Sequence, residues 1–217
     1  MKKQYTFLFI LGVSALFILL TGELMFSTGA PPGKTGSPGD NGANCTDCHA
    51  GSTVIQEDWI LSPQLSIMGY TPGQDYSIIV AGYKEDALKY GFEATAEDEN
   101  GNKVGSFTAD VIGMTQTISD GKAITHTAMG TIPITDTAIW FFTWTAPPET
   151  VGPVTFYAAI NAANGDGTNG GDQINLSNFT TTPATAIDDR PYVHNLKIYP
   201  NPSTGAITLD GSCLLYT

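Results

Sequence analysis

The chain has 217 residues, a formal net charge of −12, 14% charged residues and 41% hydrophobic ones. That is enough apolar sequence for one core of ordinary size and too little for two large domains. Nucleic acid and anionic membrane surfaces are excluded as partners, because both demand Lys and Arg to neutralise phosphate and the only basic cluster is Lys2-Lys3.

Lys2 and Lys3 precede an apolar run from Phe7 to Leu20, and the small residues Ser27, Thr28, Gly29 and Ala30 follow it. This is the layout of a secretory signal peptide over residues 1–30, with cleavage expected after Ala30. The run is about 14 residues, short of the roughly 20 that cross a bilayer, so cleavage is preferred over a retained anchor. No cysteine follows closely enough to carry a lipid. The expected mature product is acidic and exported through the periplasm, then secreted or held at the outer cell surface.

Residues 31–52 open with "PPGKTGSPGDNGAN", which holds nothing apolar larger than Ala before Cys45. They read as an extended loop or flexible arm that cannot build a pocket alone. Between 53 and 180 the periodicity is that of strands. The stretches 76–83, 91–98, 104–111, 138–147 and 154–163 alternate or run apolar, with β-branched and aromatic residues, and turn signals such as "TPGQ", "ENGN" and "SDGK" separate them. In "IWFFTWT", Trp140, Phe142 and Trp144 share one face and Ile139, Phe141 and Thr143 the other, so core packing is expected of the first set. Strands of this length, with no long amphipathic helix, predict an all-β sandwich or barrel. Residues 181–191 read as a linker, and 192–217 as the start of a second, small β unit too short to bury a core.

Two resemblances attach to these stretches. "GYTPGQDYSIIV", "YGFEATAEDENGNKVGSF" and "FFTWTAPPETVGPVTFYAAINAANGDG", after the leader "GAPPGKTGSPGD", resemble a Reeler-type domain over about residues 30–180. The resemblance implies an immunoglobulin-like β-sandwich and no settled activity. "LKIYPNPSTGAITLDG" is similar to the opening of the C-terminal sorting domain used by the type IX secretion system of Bacteroidetes-like bacteria, which implies that machinery as a partner. Such domains run several strands further. The final "CLLYT" fits no strand of that pattern and resembles translated adapter sequence, so a truncated reading frame is expected and Cys213 is given no role.

Chemistry concentrates in Cys45-Thr46-Asp47-Cys48-His49. Attachment of c-type haem needs two thiols spaced to meet two vinyl groups, and an adjacent imidazole that falls under the iron; C-x-x-C-H supplies all three. His49 is then the iron ligand, and His126, Met129 or Met68 are candidates for the second axial position, although for His126, a lone His in a β-rich segment, a satisfied structural role is the better reading. The loop lacks the helix and apolar segment that usually bury such a haem, so the sandwich would have to form the other wall. Two alternatives stay open. An exported Cys45–Cys48 pair can close a small disulfide, and a zinc ion could take these ligands with His126 or His194. Asn164, Asp166, Asn169 and Asp172 in a Gly-rich loop offer oxygen ligands to calcium, although such clusters are also ordinary turn chemistry. No Gly-x-Ser-x-Gly elbow or His-Glu-x-x-His is present, so no enzyme is expected. The leading expectation is an exported surface protein carrying haem c for extracellular electron transfer or redox sensing, with a redox partner. The alternative is a haem-free envelope module that binds glycan or protein.

Overall fold

The computed structural model describes residues 26–49 and 53–184, together with the backbone of 197–199 and 208–210. The chain divides into two units, Met1–Ala184 and Thr185–Thr217. The sequence assignments for residues 1–25, 185–196 and 211–217, including the apolar run, most of the linker, His194 and Cys213, lie outside the described residues.

The first unit is built on strands β1 (Thr53–Gln56), β2 (Ile60–Leu61), β3 (Asp75–Tyr83), β4 (Lys89–Glu97), β5 (Ser106–Ala109), β6 (Thr115–Ile118), β7 (Ala123–His126), β8 (Thr137–Thr145), β9 (Val154–Ala163) and β10 (Gln173–Thr181). One short helix, α1 (Pro63–Met68), joins β2 to β3. Six strands form one sheet in the order β1-β10-β9-β4-β7-β6, and four form the other in the order β2-β3-β8-β5. All pairs are antiparallel except β1 with β10. The two sheets make a β-sandwich, one of the two architectures the strand periodicity predicts, and of the immunoglobulin-like kind that the resemblance implies.

Side-chain alternation decides which face of each strand enters the core. On β8, Trp140, Phe142 and Trp144 are fully or almost fully buried, whereas Ile139 and Phe141 are exposed on the outer face. Facing them from the six-stranded sheet are Phe92 on β4 and Phe156 on β9. The Phe92 ring lies 4.5 Å from Trp140 and 5.9 Å from Phe142, and Phe156 lies 4.9 Å from Trp144 in an edge-to-face contact. These separations are the favourable ones for aromatic pairs.

Strand β4 is buried on both faces. Phe92, Ala94 and Ala96 enter the core, and the opposite-parity residues Glu93, Thr95 and Glu97 are also inaccessible. What covers them is the arm preceding β1. "EDENGN" does form the expected turn, with the Asp98 carboxylate accepting the Asn100 and Asn102 N–H groups at 2.9 and 2.8 Å. Its first carboxylate, that of Glu97, is buried. Glu97 turns inward because the arm supplies donors to it.

Strand β10 is absent from the sequence expectations. Its inward positions include Asn175 and Ser177, both buried, which erase the apolar alternation on which strand recognition rests. In the second unit, β11 (Lys197–Tyr199) pairs antiparallel with β12 (Thr208–Asp210), one hairpin within the stretch read as a small β unit.

Candidate functional site

The arm is docked by its backbone. Two buried carboxylates on the outer face of β4, four residues apart and therefore on one side of the strand, capture successive donors. Glu93 accepts the N–H groups of Gly33 and Lys34 at 2.9 and 2.8 Å. Glu97 accepts the Ser37 hydroxyl at 2.5 Å and the Gly39 N–H at 2.9 Å. Within the arm Asp40 accepts the Thr35 hydroxyl and pairs with Lys103 at 2.7 Å. The stretch read as an extended loop or flexible arm is thus docked on the sheet: the Gly- and Pro-rich sequence lets the backbone approach β4 closely enough for its N–H groups to meet carboxylates.

Past Ala43 the arm makes one tight turn that presents the C-x-x-C-H residues. The Asn44 side chain accepts the Thr46 N–H at 2.9 Å and so caps a short 3-10 turn, Cys45–Asp47. The His49 N–H then bonds back to the Cys45 carbonyl at 3.0 Å. Both cysteines are free thiols. Cys45 is half-buried and Cys48 exposed. Burial, with the Glu93 carboxylate adding to it, pushes the Cys45 thiol up to about 12, so this sulfur is a neutral S–H and not a thiolate. Burial likewise raises Glu93 to about 7 against the two N–H bonds that favour its charged form.

His49 is held from the far side of the sandwich sequence. Its Nδ1 lies 2.5 Å from Oδ2 of Asp172, a residue that is almost wholly buried next to the start of β10. Asn161 on β9 places its amide nitrogen 3.3 Å from the same carboxylate oxygen and 3.2 Å from both ring nitrogens of His49. A ring that gives its Nδ1 proton to a carboxylate keeps the lone pair on Nε2.

His126 ends β7 at the point where that strand parts from β4. The last direct pairing is Glu93 with Thr125, and beyond it the His126 ring takes up the ladder's open groups. Its Nδ1 accepts the Phe92 N–H at 3.0 Å and lies 3.2 Å from the Phe92 carbonyl oxygen. The closer contact favours a proton on Nε2; a ring with its proton on Nδ1 would instead donate to the carbonyl and release Nε2 as a ligand. The ring needs Gly91 beneath it, since a Cβ there would come within 2.7 Å of the imidazole Cε1.

These pieces enclose one cavity of about 360 Å³ between the arm and the outer face of the six-stranded sheet. Cys45, Cys48, His49 and His126 all line it, with Pro31, Gly91 and Asn161 among the other walls. The volume falls in the range of small-molecule sites. Of the other axial candidates, Met129 and Met68 are exposed and outside this lining. Ser27 and Ala30 also reach the cavity, and the Ala30 N–H bonds to the Thr125 hydroxyl at 2.9 Å. A mature chain beginning at Pro31 would lack those contacts.

The Gly-rich loop uses most of its oxygens internally. Asp166 accepts the Thr168 N–H at 2.8 Å, Asn164 accepts the Asp166 N–H at 3.0 Å, and Asp172 turns toward His49. Among the described residues, which do not include His194, no group of three or more His, Cys, Asp or Glu side chains is arranged to hold a metal ion. Sequence reasoning missed Asp172 and Asn161 as partners of His49, because more than a hundred residues separate them from it.

The profile of the Reeler domain family matches residues 43–164. Among solved structures, a reeler domain of human F-spondin is 18% identical, with 61% of this chain and 94% of that chain covered at a TM-score of 0.45. The Reelin-N domain of F-spondin is 18% identical over 64% of this chain and 97% of its own, at 0.47. BslA, a bacterial hydrophobin, is 14% identical over 62% and 97%, at 0.34. No curated protein matches the chain.

Proposed function

The chain belongs to the Reeler domain family, and on that premise we propose that it is an extracellular or cell-surface β-sandwich module; on the geometry of its own residues, and not on the family, its cavity would hold a c-type haem. The observation that carries this reading is the convergence of Cys45, Cys48, His49 and His126 on one cavity, from an arm and a strand far apart in sequence. Cys45 and Cys48 would form the thioether bonds. His49, kept in the Nε2 lone-pair tautomer by Asp172, would be the proximal ligand, while His126 faces the same space from the strand wall. Bound there, the group would supply one-electron exchange with a redox partner or respond to the redox state outside the cell. Delivery through type IX secretion machinery accords with the sorting-domain-like stretch from Leu196 to Gly211, which includes the hairpin of β11 and β12.

Expression in a host with cytochrome c maturation, followed by a reduced-minus-oxidised spectrum of the denatured protein, is expected to show a covalent haem band. Replacing Cys45 and Cys48 together by Ala is expected to abolish it. A parent protein without the band, or a double variant that keeps it, would sink the reading.

A second reading has its own observation. Val111 and Ile112 in the loop after β5 are exposed, as are Met129, Ile132 and Ile134 in the loop after β7, and the Thr127 N–H ties the two loops together through the Met114 carbonyl at 2.9 Å. Large exposed apolar residues gathered on two linked loops offer a contact surface. A haem-free module would bind an envelope protein or glycan there. Ile112→Asp with Ile132→Asp is then expected to abolish retention on envelope material while leaving the urea unfolding midpoint in place; unchanged retention would dismiss that surface.

A further inference from the structure

Asp172 is nearly inaccessible, at 4% exposure, although it begins beside an open Gly-rich loop. Its two carboxylate oxygens are divided between tasks. Oδ1 accepts the Asn164 N–H at 3.1 Å, which fixes the group to the end of β9, and Oδ2 faces His49 Nδ1 at 2.5 Å. The Asn161 amide donates to that same Oδ2 at 3.3 Å, and its nitrogen also lies 3.2 Å from both ring nitrogens of His49. The Asn161 carbonyl oxygen is buried without a protein partner among the described residues, so this side chain is not placed by its own hydrogen-bond needs. Its orientation instead serves Asp172 and His49.

An imidazole that hands its Nδ1 proton to a carboxylate gains imidazolate character and becomes a stronger donor through Nε2. Stronger donation favours the more highly charged oxidised metal, and the buried, low-dielectric setting strengthens the effect. A second donor on the carboxylate oxygen weakens its pull on the ring. We infer that Asp172 and Asn161 are opposed positioning residues that set the redox poise of the group held by His49, Asp172 lowering its reduction potential and Asn161 tempering that effect. The inference rests on the haem reading above and goes beyond it in assigning the direction of control to two residues outside the C-x-x-C-H segment.

The test is a spectroelectrochemical titration of the full chain matured with covalent haem, compared with Asp172→Asn and Asn161→Ala. Asp172→Asn is expected to shift the one-electron equilibrium toward the reduced form by about tenfold, a rise of about 59 mV. Asn161→Ala frees Oδ2 to pull harder on the ring and is expected to lower the potential. A merely structural role would move both variants in the same direction or in neither. Two shifts of the same sign, or an unchanged potential in Asp172→Asn, overturn the inference while the haem reading stands. If Asp172→Asn does not fold, the sign of the Asn161→Ala shift decides alone. Absence of covalent haem in the parent removes both readings together, and the denatured spectrum identifies that case.

Discussion

Trp140→Ala is expected to lower the unfolding free energy by about 3–5 kcal/mol, the loss that accompanies truncation of a large buried aromatic. The indole is fully inaccessible on the inward face of β8, which lies between β3 and β5. Its ring packs 4.5 Å from Phe92, and its Nε1 donates to the Gly130 carbonyl at 2.8 Å. Removal therefore empties a core volume and also leaves a buried carbonyl unpaired. Both consequences reach the cavity. Phe92 is the residue whose N–H holds His126, and Gly130 lies in the turn just beyond His126. Urea unfolding should show the lower midpoint, and Trp140→Phe, which keeps an aromatic ring but not the donor, should lose about 1–3 kcal/mol. A Trp140→Ala midpoint close to the parent's would mean that the ring is not packed as described.

The core was legible in the sequence and the site only half so, for reasons that lie in particular residues. Trp140, Phe142 and Trp144 announce an inward face because a strand exposes alternate side chains, and β3, β4, β8 and β9 all carry that signal. β10 does not, because Asn175 and Ser177 occupy inward positions, and β1, β2, β6 and β7 are too short to establish a period. C-x-x-C-H is a local motif whose chemistry is contained in five residues, and so it could be read directly. Its supports are not local. Nothing in "FEATAED" says that a Gly- and Pro-rich arm about sixty residues earlier would cover Glu93 and Glu97. Asp172 was read with its loop neighbours as a candidate calcium ligand, whereas its position at the start of β10 turns it to His49. The one sequence clue available was parity: a strand whose apolar residues alternate with two acidic ones, and which is central in its sheet, must have something above the acidic face.

Acidification from pH 7 toward pH 5 is expected to tighten the docking of the arm, and Glu93 supplies the reason. This carboxyl group is inaccessible, and burial raises it to about 7 against an ordinary 4.5. The cations nearest the arm are already engaged, Lys103 by Asp40 and Lys34 by Asp47. The folded pKa lies above the unfolded one, so the folded state binds the proton more tightly. The stabilisation is fully present below about 4.5 and is lost as the pH rises through about 7, a span worth up to ~3 kcal/mol. Asp40, Asp98 and Asp110 run the other way: hydrogen bonds and, for Asp40, the Lys103 ammonium hold them below the usual carboxylate value in spite of burial, so their contribution falls away only in stronger acid. The window between about pH 4.5 and 7 therefore isolates Glu93 among these carboxylates. Hydrogen-exchange protection of the Gly33 and Lys34 amides, the two donors to this carboxyl group, is expected to rise as the pH falls across that window. Glu93→Gln, which cannot titrate, should flatten the dependence even if the lost acceptor loosens the arm at every pH. A parent whose protection falls on acidification, or a Gln variant that keeps the slope, would show that another group governs how the arm closes over the cavity.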